Sequence, residues 1–142
     1  MKYLGLSVLV GILFSASLFA HGEDQLGPHK GFIRMPGAFH TELVIQSRAI
    51  RVYLLDIEWK NPTNQKSSVD VFVRQKSKIA QTQCLPKRDF FECPLPAGVK
   101  LNSGEIVVTA KRENLPEATA TYKLPLQLSK SVKQADSHKN HH

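Results

Sequence analysis

Histidine is the residue type whose placement says most about the chemistry open to this chain. The six histidines fall into two groups: His21, His29 and His40 near the amino terminus, and His138, His141 and His142 at the carboxyl terminus. Residues 41–137 contain none, whereas histidines that merely fill a core would be scattered through it. Neutral imidazole suits Cu(II) and Zn(II), and carboxylate is a compatible co-ligand. The first candidate site is therefore His29, His40 and Glu42. On a strand, His40 and Glu42 lie two residues apart and project from one face, with Cα atoms roughly 7 Å apart. If Pro36-Gly37 forms a two-residue turn, residues 31–35 pair with 38–42 and Ile33 faces His40. His29 and Gly31 then join that face, and imidazoles and carboxylate can converge on one ion. A three-residue loop would send His29 to the opposite face. The competing reading is an outward polar face carrying an ordinary His–Glu contact.

The chain opens with Met1-Lys2, an apolar stretch from Tyr3 to Phe14 and the small-residue run SASLFA. That is the layout of a secretory signal peptide. Cleavage is expected after Ala20, with Ser17 as the alternative. The apolar stretch falls short of the ~20 residues needed to span a bilayer. The expectation is export to the periplasm with no stable membrane insertion after processing; an uncleaved amino-terminal anchor is the alternative. The chain has no lipobox cysteine. Cleavage after Ala20 would put His21 beside a free α-amino group, and chelation through that amine and Nδ1 matches the tetragonal preference of Cu(II). His138, His141 and His142 form a short His-containing tract that collects metal weakly, or are the remnant of a purification tag.

Charge and motif content remove other functions. Nineteen Lys and Arg stand against twelve Asp and Glu, giving +7, or +6 once Lys2 leaves with residues 1–20. The basic residues are scattered from Lys30 to Lys139, without the clustered stripe and interleaved aromatics of a nucleic-acid footprint. No G-x-S-x-G elbow, H-E-x-x-H pair or Gly-rich phosphate loop is present, so no enzyme is expected. Asp56 and Glu58 share a strand face and can be read as an acid/base pair; ending a strand at solvent is the simpler reading. Trp59, Phe90 and Phe91 are either a glycan platform or core and hairpin packing. Cys84 and Cys93 enclose CLPKRDFFEC. In an oxidising compartment they are expected to form a disulfide across a hairpin that turns at residues 86–89. A redox or Cu(I) thiolate pair is the alternative, though the C-x-x-C spacing is missing.

The elements that must position these groups read as strands. A chain of 142 residues suits one domain. Apolar and polar residues alternate through Phe39–Gln46, Val69–Arg74, Ile106–Lys111 and Ala118–Leu124, the period of half-buried strands. Ile50–Ile57 is apolar on both parities in its middle, as a central strand would be. Turn residues at Pro36-Gly37, Asn61–Asn64, Asn102–Gly104 and Asn114–Pro116 punctuate the pattern. Strands are predicted at 31–35, 39–47, 50–59, 67–75, 78–84, 90–93, 105–112 and 118–124. The expected fold is all-β: an antiparallel immunoglobulin-like sandwich of seven or eight strands, with a small barrel as the alternative. The domain plan is a signal peptide at 1–20, a polar segment at 21–30, the sandwich at 31–125 and a disordered His-containing tail at 126–142.

The run GPHKGFIRMPGAFHTELVI, followed by VYLLD at 52–56, carries a family likeness. It resembles the small exported domain found alone or in periplasmic adaptor subunits of heavy-metal efflux pumps. The pattern is Gly27, Pro28, His29 and Gly31, then a turn, Phe39, and His40-x-Glu42 on a strand. Lys30 stands where that pattern usually has a second glycine. The likeness covers residues 27–58 closely and 59–124 in pattern only. It implies an association with metal handling. The functional expectation is a periplasmic, non-catalytic metal-binding or metal-trafficking protein, with copper favoured over zinc. Its partners would be the metal ion and an envelope metal-efflux or metal-delivery protein. The alternative is an envelope interaction module that docks a partner along edge strand 31–35 or 118–124, the histidines being incidental.

Overall fold

A computed structural model describes residues 23–128. Nine strands follow one another: β1 (Phe32–Arg34), β2 (His40–Ile45), β3 (Ala49–Leu55), β4 (Ser68–Gln75), β5 (Lys78–Thr82), β6 (Leu85–Pro86), β7 (Phe91–Pro94), β8 (Gly104–Lys111) and β9 (Ala118–Leu124). Eight of these match the predicted strands to within a few residues. The ninth, β6, is only two residues long and ends on Pro86, which has no N–H to offer a ladder. No helix occurs among the described residues.

The strands form two separate antiparallel sheets, in the orders β1-β2-β3-β7-β6 and β5-β4-β8-β9. The small-barrel alternative is therefore not adopted. Strands β2-β3-β7-β6 opposite β5-β4-β8-β9 reproduce the Greek-key arrangement of an immunoglobulin-like sandwich. Between the sheets lies a closed apolar core. Leu43, Ile50, Val52, Leu54 and Phe91 of one sheet meet Val71, Val73, Ile106, Val108 and Tyr122 of the other. In the second sheet the burial pattern alternates as a half-exposed strand should, with Val69, Val71 and Val73 inside and Asp70 and Arg74 outside.

Strands β2 and β3 depart from that alternation. His40, Thr41, Glu42 and Leu43 are all buried, and so are Val52 through Leu55. Burial on both parities means that something covers the outer face as well. The β1–β2 register also differs from expectation. Ile33 pairs with Glu42, and Arg34 with Thr41, because the connection is the five-residue segment 35–39, which sends Phe39 fully into the core. A Pro-Gly type II turn twists against the strands and does not favour the tighter hairpin. The slip is two residues, so parity is kept and Ile33, His40 and Glu42 remain on one face.

Two features close the sandwich laterally. The Tyr122 hydroxyl donates to the Thr41 carbonyl at 3.0 Å and lies 2.6 Å from Thr41 Oγ1, tying β9 to β2 through the core. Burial drives this phenol well above its ordinary range despite the hydrogen bond to Thr41. On the opposite side the chain crosses from β5 to β6, and Cys84 is disulfide-bonded to Cys93, with Cα atoms 4.1 Å apart. The bridge closes the β6–β7 hairpin as its spacing predicts and contributes about 2–3 kcal/mol in the chain-entropy picture.

Candidate metal-binding site

Antiparallel pairing sets three side chains in one row on the outer face of the five-stranded sheet. Ile33 of β1 lies opposite Glu42 of β2, and Glu42 opposite Tyr53 of β3. The neighbouring row sets His40 opposite Leu55. Ile33, Tyr53 and Leu55 form a second apolar cluster there, with Val44, Trp59 and Phe90 packed against it. Three segments roof it: the turn at 27–31, the loop after β3, and Phe90 just before β7.

The turn at 27–31 is built around the Glu42 carboxylate. Gly27 N–H donates to the Gly31 carbonyl at 2.8 Å, and Lys30 N–H to the Gly27 carbonyl at 2.9 Å. This curls the backbone so that its remaining N–H groups converge. His29 N–H and Gly31 N–H both donate to Glu42 Oε1, at 2.7 and 2.9 Å. His29 Nδ1, in its protonated tautomer, donates to Oε2 at 2.7 Å. The glutamate side chain has no exposed surface. An unpaired carboxylate in such a place would cost several kcal/mol, and these three donors offset that cost. The glycines are steric requirements. A Cβ on Gly27 would sit 2.6 Å from the Glu42 carboxyl carbon, and one on Gly31 would sit 2.7 Å from the Leu43 carbonyl oxygen. Lys30 takes the left-handed conformation at φ 61°, the backbone state that glycine adopts without strain.

His29 is held from a second side. Its ring stacks on Tyr53 with centroids 3.7 Å apart and planes 6° from parallel. Burial raises the Tyr53 phenol, against the opposing pull of the Arg51 guanidinium. With Nδ1 committed to Glu42, the only ring nitrogen of His29 left for other chemistry is Nε2. His40 follows the same logic through a different partner. Its Nδ1 donates to the Asp56 carbonyl at 3.0 Å, and its ring meets Trp59 edge-on at 5.9 Å. Here too Nε2 makes no hydrogen bond among the described residues.

The loop beyond β3 is folded by Asp56. Its Oδ1 accepts the N–H groups of Glu58 and Lys60, both at 2.9 Å, and its Oδ2 accepts Asn61 Nδ2 at 2.8 Å. The Lys60 N–H foremost, with the Asn61 and Glu58 contacts, holds this carboxyl below its ordinary range. Asp56 is thus a loop organiser, and Glu58 is an exposed neighbour that reaches Lys60 at 3.9 Å. The loop carries Trp59 over His40 at φ 64°. Trp59 and Phe90 pack on the outer cluster while Phe91 enters the main core, as the packing reading of these aromatics requires.

The structure brings His29 and Glu42 into direct contact and keeps His40 on the same face. It does not bring the three onto one point. Among the described residues no group of three His, Cys, Asp or Glu side chains is placed to hold a metal ion. Glu42 does not fit as a ligand, because N–H donors occupy both of its oxygens. It fits as the group that orients His29, the usual role of a carboxylate behind a metal-bound imidazole. His21, His138, His141 and His142 lie outside the described residues. Sequence reasoning missed Tyr53 and Trp59 as neighbours of the histidines. The apolar run on both parities around Tyr53 was the available signal that the outer face is covered. Compared with protein-family models, curated proteins and solved structures, the chain matches none.

Proposed function

We propose that this is a periplasmic, non-catalytic metal-binding or metal-trafficking protein that takes copper in preference to zinc. The observation carrying the reading is the His29–Glu42 pair. A buried carboxylate and a stacked phenol fix one imidazole with Nδ1 occupied, so that Nε2 is the donor it offers. His40, with Nδ1 on a backbone carbonyl, is the second donor. Two imidazoles without a closed tetrahedral set suit a cargo that must be released more than a structural zinc. For a given nitrogen site, affinity also rises to Cu(II) and falls again at Zn(II). The signal-peptide layout and the likeness to the exported domain of heavy-metal efflux adaptors support the same reading. In it, the α-amine chelate at His21 and the terminal histidines act as accessory collectors. The partner would be an envelope metal-efflux or metal-delivery protein.

The test is calorimetric titration of residues 21–142, with and without residues 137–142, using Cu(II), Cu(I) and Zn(II). Stoichiometric copper binding should survive removal of the tail and weaken sharply in His40→Ala and His29→Asn. In the unmutated protein, Cu(II) should broaden the ring resonances of His29 and His40 first, an arm independent of how well the variants fold. Binding that leaves entirely with the tail would overturn the reading.

A second reading, an interaction module using an edge strand, is favoured by the topology. Strands β1 and β9 are indeed edges of their sheets. They are not equally open, however: β1 is bridged at Phe32 by Leu26, and Arg34 Nε donates to the Thr121 carbonyl of β9 at 3.3 Å, which ties one edge to the other.

A further inference from the structure

The inward parity of β8 continues past the end of the strand. Ile106, Val108 and Ala110 are buried between the sheets. Arg112, next on that parity, is also buried, at 8% exposure. An arginine in such a place is costly unless its donors are matched. Its guanidinium crosses from the four-stranded sheet to the other one. Nε donates to the Leu54 carbonyl of β3 at 3.3 Å, Nη2 to the Asn61 carbonyl at 2.7 Å, and Nη1 to Glu113 Oε2 at 3.0 Å. The Arg112 carbonyl accepts the Leu115 N–H at 3.0 Å, which fixes the turn that carries the side chain.

Leu54 and Asn61 stand at the two ends of the segment that orients His40. Between them, Asp56 has two connections. Its backbone carbonyl accepts the Trp59 N–H at 3.1 Å and His40 Nδ1 at 3.0 Å. Its carboxylate accepts Asn61 Nδ2 at 2.8 Å. The direction of the Asp56 carbonyl therefore depends on where the ends of the loop are held. Trp59 and Asn61 both have positive φ, at 64° and 52°, a backbone state that such residues keep where their surroundings impose it. One planar guanidinium spans the two ends at a fixed spacing, which a flexible ammonium does not.

We infer that Arg112 is a positioning residue for His40. By gripping the Leu54 and Asn61 carbonyls it sets the loop that aims the Asp56 carbonyl at Nδ1, and so leaves Nε2 as the donor nitrogen. The inference rests on the reading of His40 as a metal ligand. His29 is held separately, by Glu42 and by Tyr53, and so serves as an internal reference. An Arg112 change that merely loosened the fold would reach both rings.

The test is long-range 1H–15N correlation of the imidazoles in residues 21–142 without metal, at about pH 8, above the usual imidazole range. In the unmutated chain both rings should carry their proton on Nδ1. Arg112→Met keeps the apolar stem and removes the buried charge, so a folded chain is expected. Arg112→Lys keeps the charge on a single donor centre. In both variants His40 should pass to a mixture of tautomers while His29 stays protonated on Nδ1. The Cu(II) concentration that half-broadens the His40 ring resonances should rise roughly tenfold. Exchange at Arg112 Nε–H in the unmutated chain needs no variant, and should be as slow as that of core strand amides. An unchanged His40 in both variants, His29 and His40 moving together, or fast exchange at Arg112 Nε–H would each overturn the inference. Copper that leaves the unmutated His40 untouched would instead overturn the metal reading, because the tautomer measurement contains no metal and decides the Arg112–His40 coupling by itself.

Discussion

The outer faces of the two sheets start from similar sequence. Strand β2 reads His-Thr-Glu-Leu-Val and strand β9 reads Ala-Thr-Ala-Thr-Tyr-Lys, each alternating between polar and less polar residues. On β9 the alternation has its simple meaning. Thr119, Thr121 and Lys123 face solvent, Thr109 of β8 bonds Thr119 at 3.2 Å, and Arg74 pairs with Glu105 beside them. On β2 the outward residues His40 and Glu42 are 3% and 0% exposed. The difference lies in what the connections do. In the four-stranded sheet β4 and β5 join through a two-residue turn and β8 and β9 through residues 112–117, and the outward side chains of β4 and β9 stay exposed or half-buried. The five-stranded sheet is flanked by the 27–31 turn and the 56–61 loop, and both fold over it. A polar residue on a strand is therefore not an outward residue by type. It is one only where no backbone arrives with donors for it.

Cutting the roof away from its carboxylate should produce the largest effect. Glu42→Ala leaves the His29 and Gly31 N–H groups and the His29 ring without their acceptor, and should cost roughly 3–5 kcal/mol in urea unfolding. Thr109→Ala on the bare face should cost under about 0.5 kcal/mol in the same assay. Equal losses would erase the distinction between the faces. Gly31→Ala comes next. Its new methyl would press on the Leu43 carbonyl and Val44, and an expected loss of about 1–3 kcal/mol would show that the roof sits at contact distance.

Lys30→Gly has the opposite sign. It relieves a left-handed lysine, offset in part by glycine's greater entropy in the unfolded chain. A net gain of about 0.5–1 kcal/mol is expected, with the Tm rising accordingly. The smallest effect is acid sensitivity of the 56–61 loop. Asp56 is held below the ordinary aspartate range by N–H donors, so its contribution is present at and above that range and is lost as pH falls through the lowered value. Fluorescence of Trp59, the sole tryptophan, should report an acid transition whose midpoint lies below the ordinary aspartate value of 3.8. The transition should be absent in Asp56→Asn.

What the residues alone determined was local and periodic. Two-residue alternation located four of the strands, turn residues between apolar runs bounded the others, and the double-parity run within Ile50–Ile57 marked β3 as central. The Cys84–Cys93 spacing named the bridge. Each depends on neighbours within one strand or one hairpin, where side-chain direction follows directly from sequence position. The Gly27-Pro28-His29-Lys30-Gly31 run and the His40-x-Glu42 pair also marked, from sequence alone, the region where chemistry would lie. Their geometry was a different matter. Whether Glu42 opened to solvent or closed under a turn depended on the five-residue connection at 35–39 and on the path of residues 27–31 over two strands. Only the folded chain decided that the carboxylate takes three N–H donors from the turn, that Tyr53 backs the His29 ring, and that His40 answers to Asp56. These contacts join residues far apart in sequence, and their strength comes from excluding water, which no single segment does by itself.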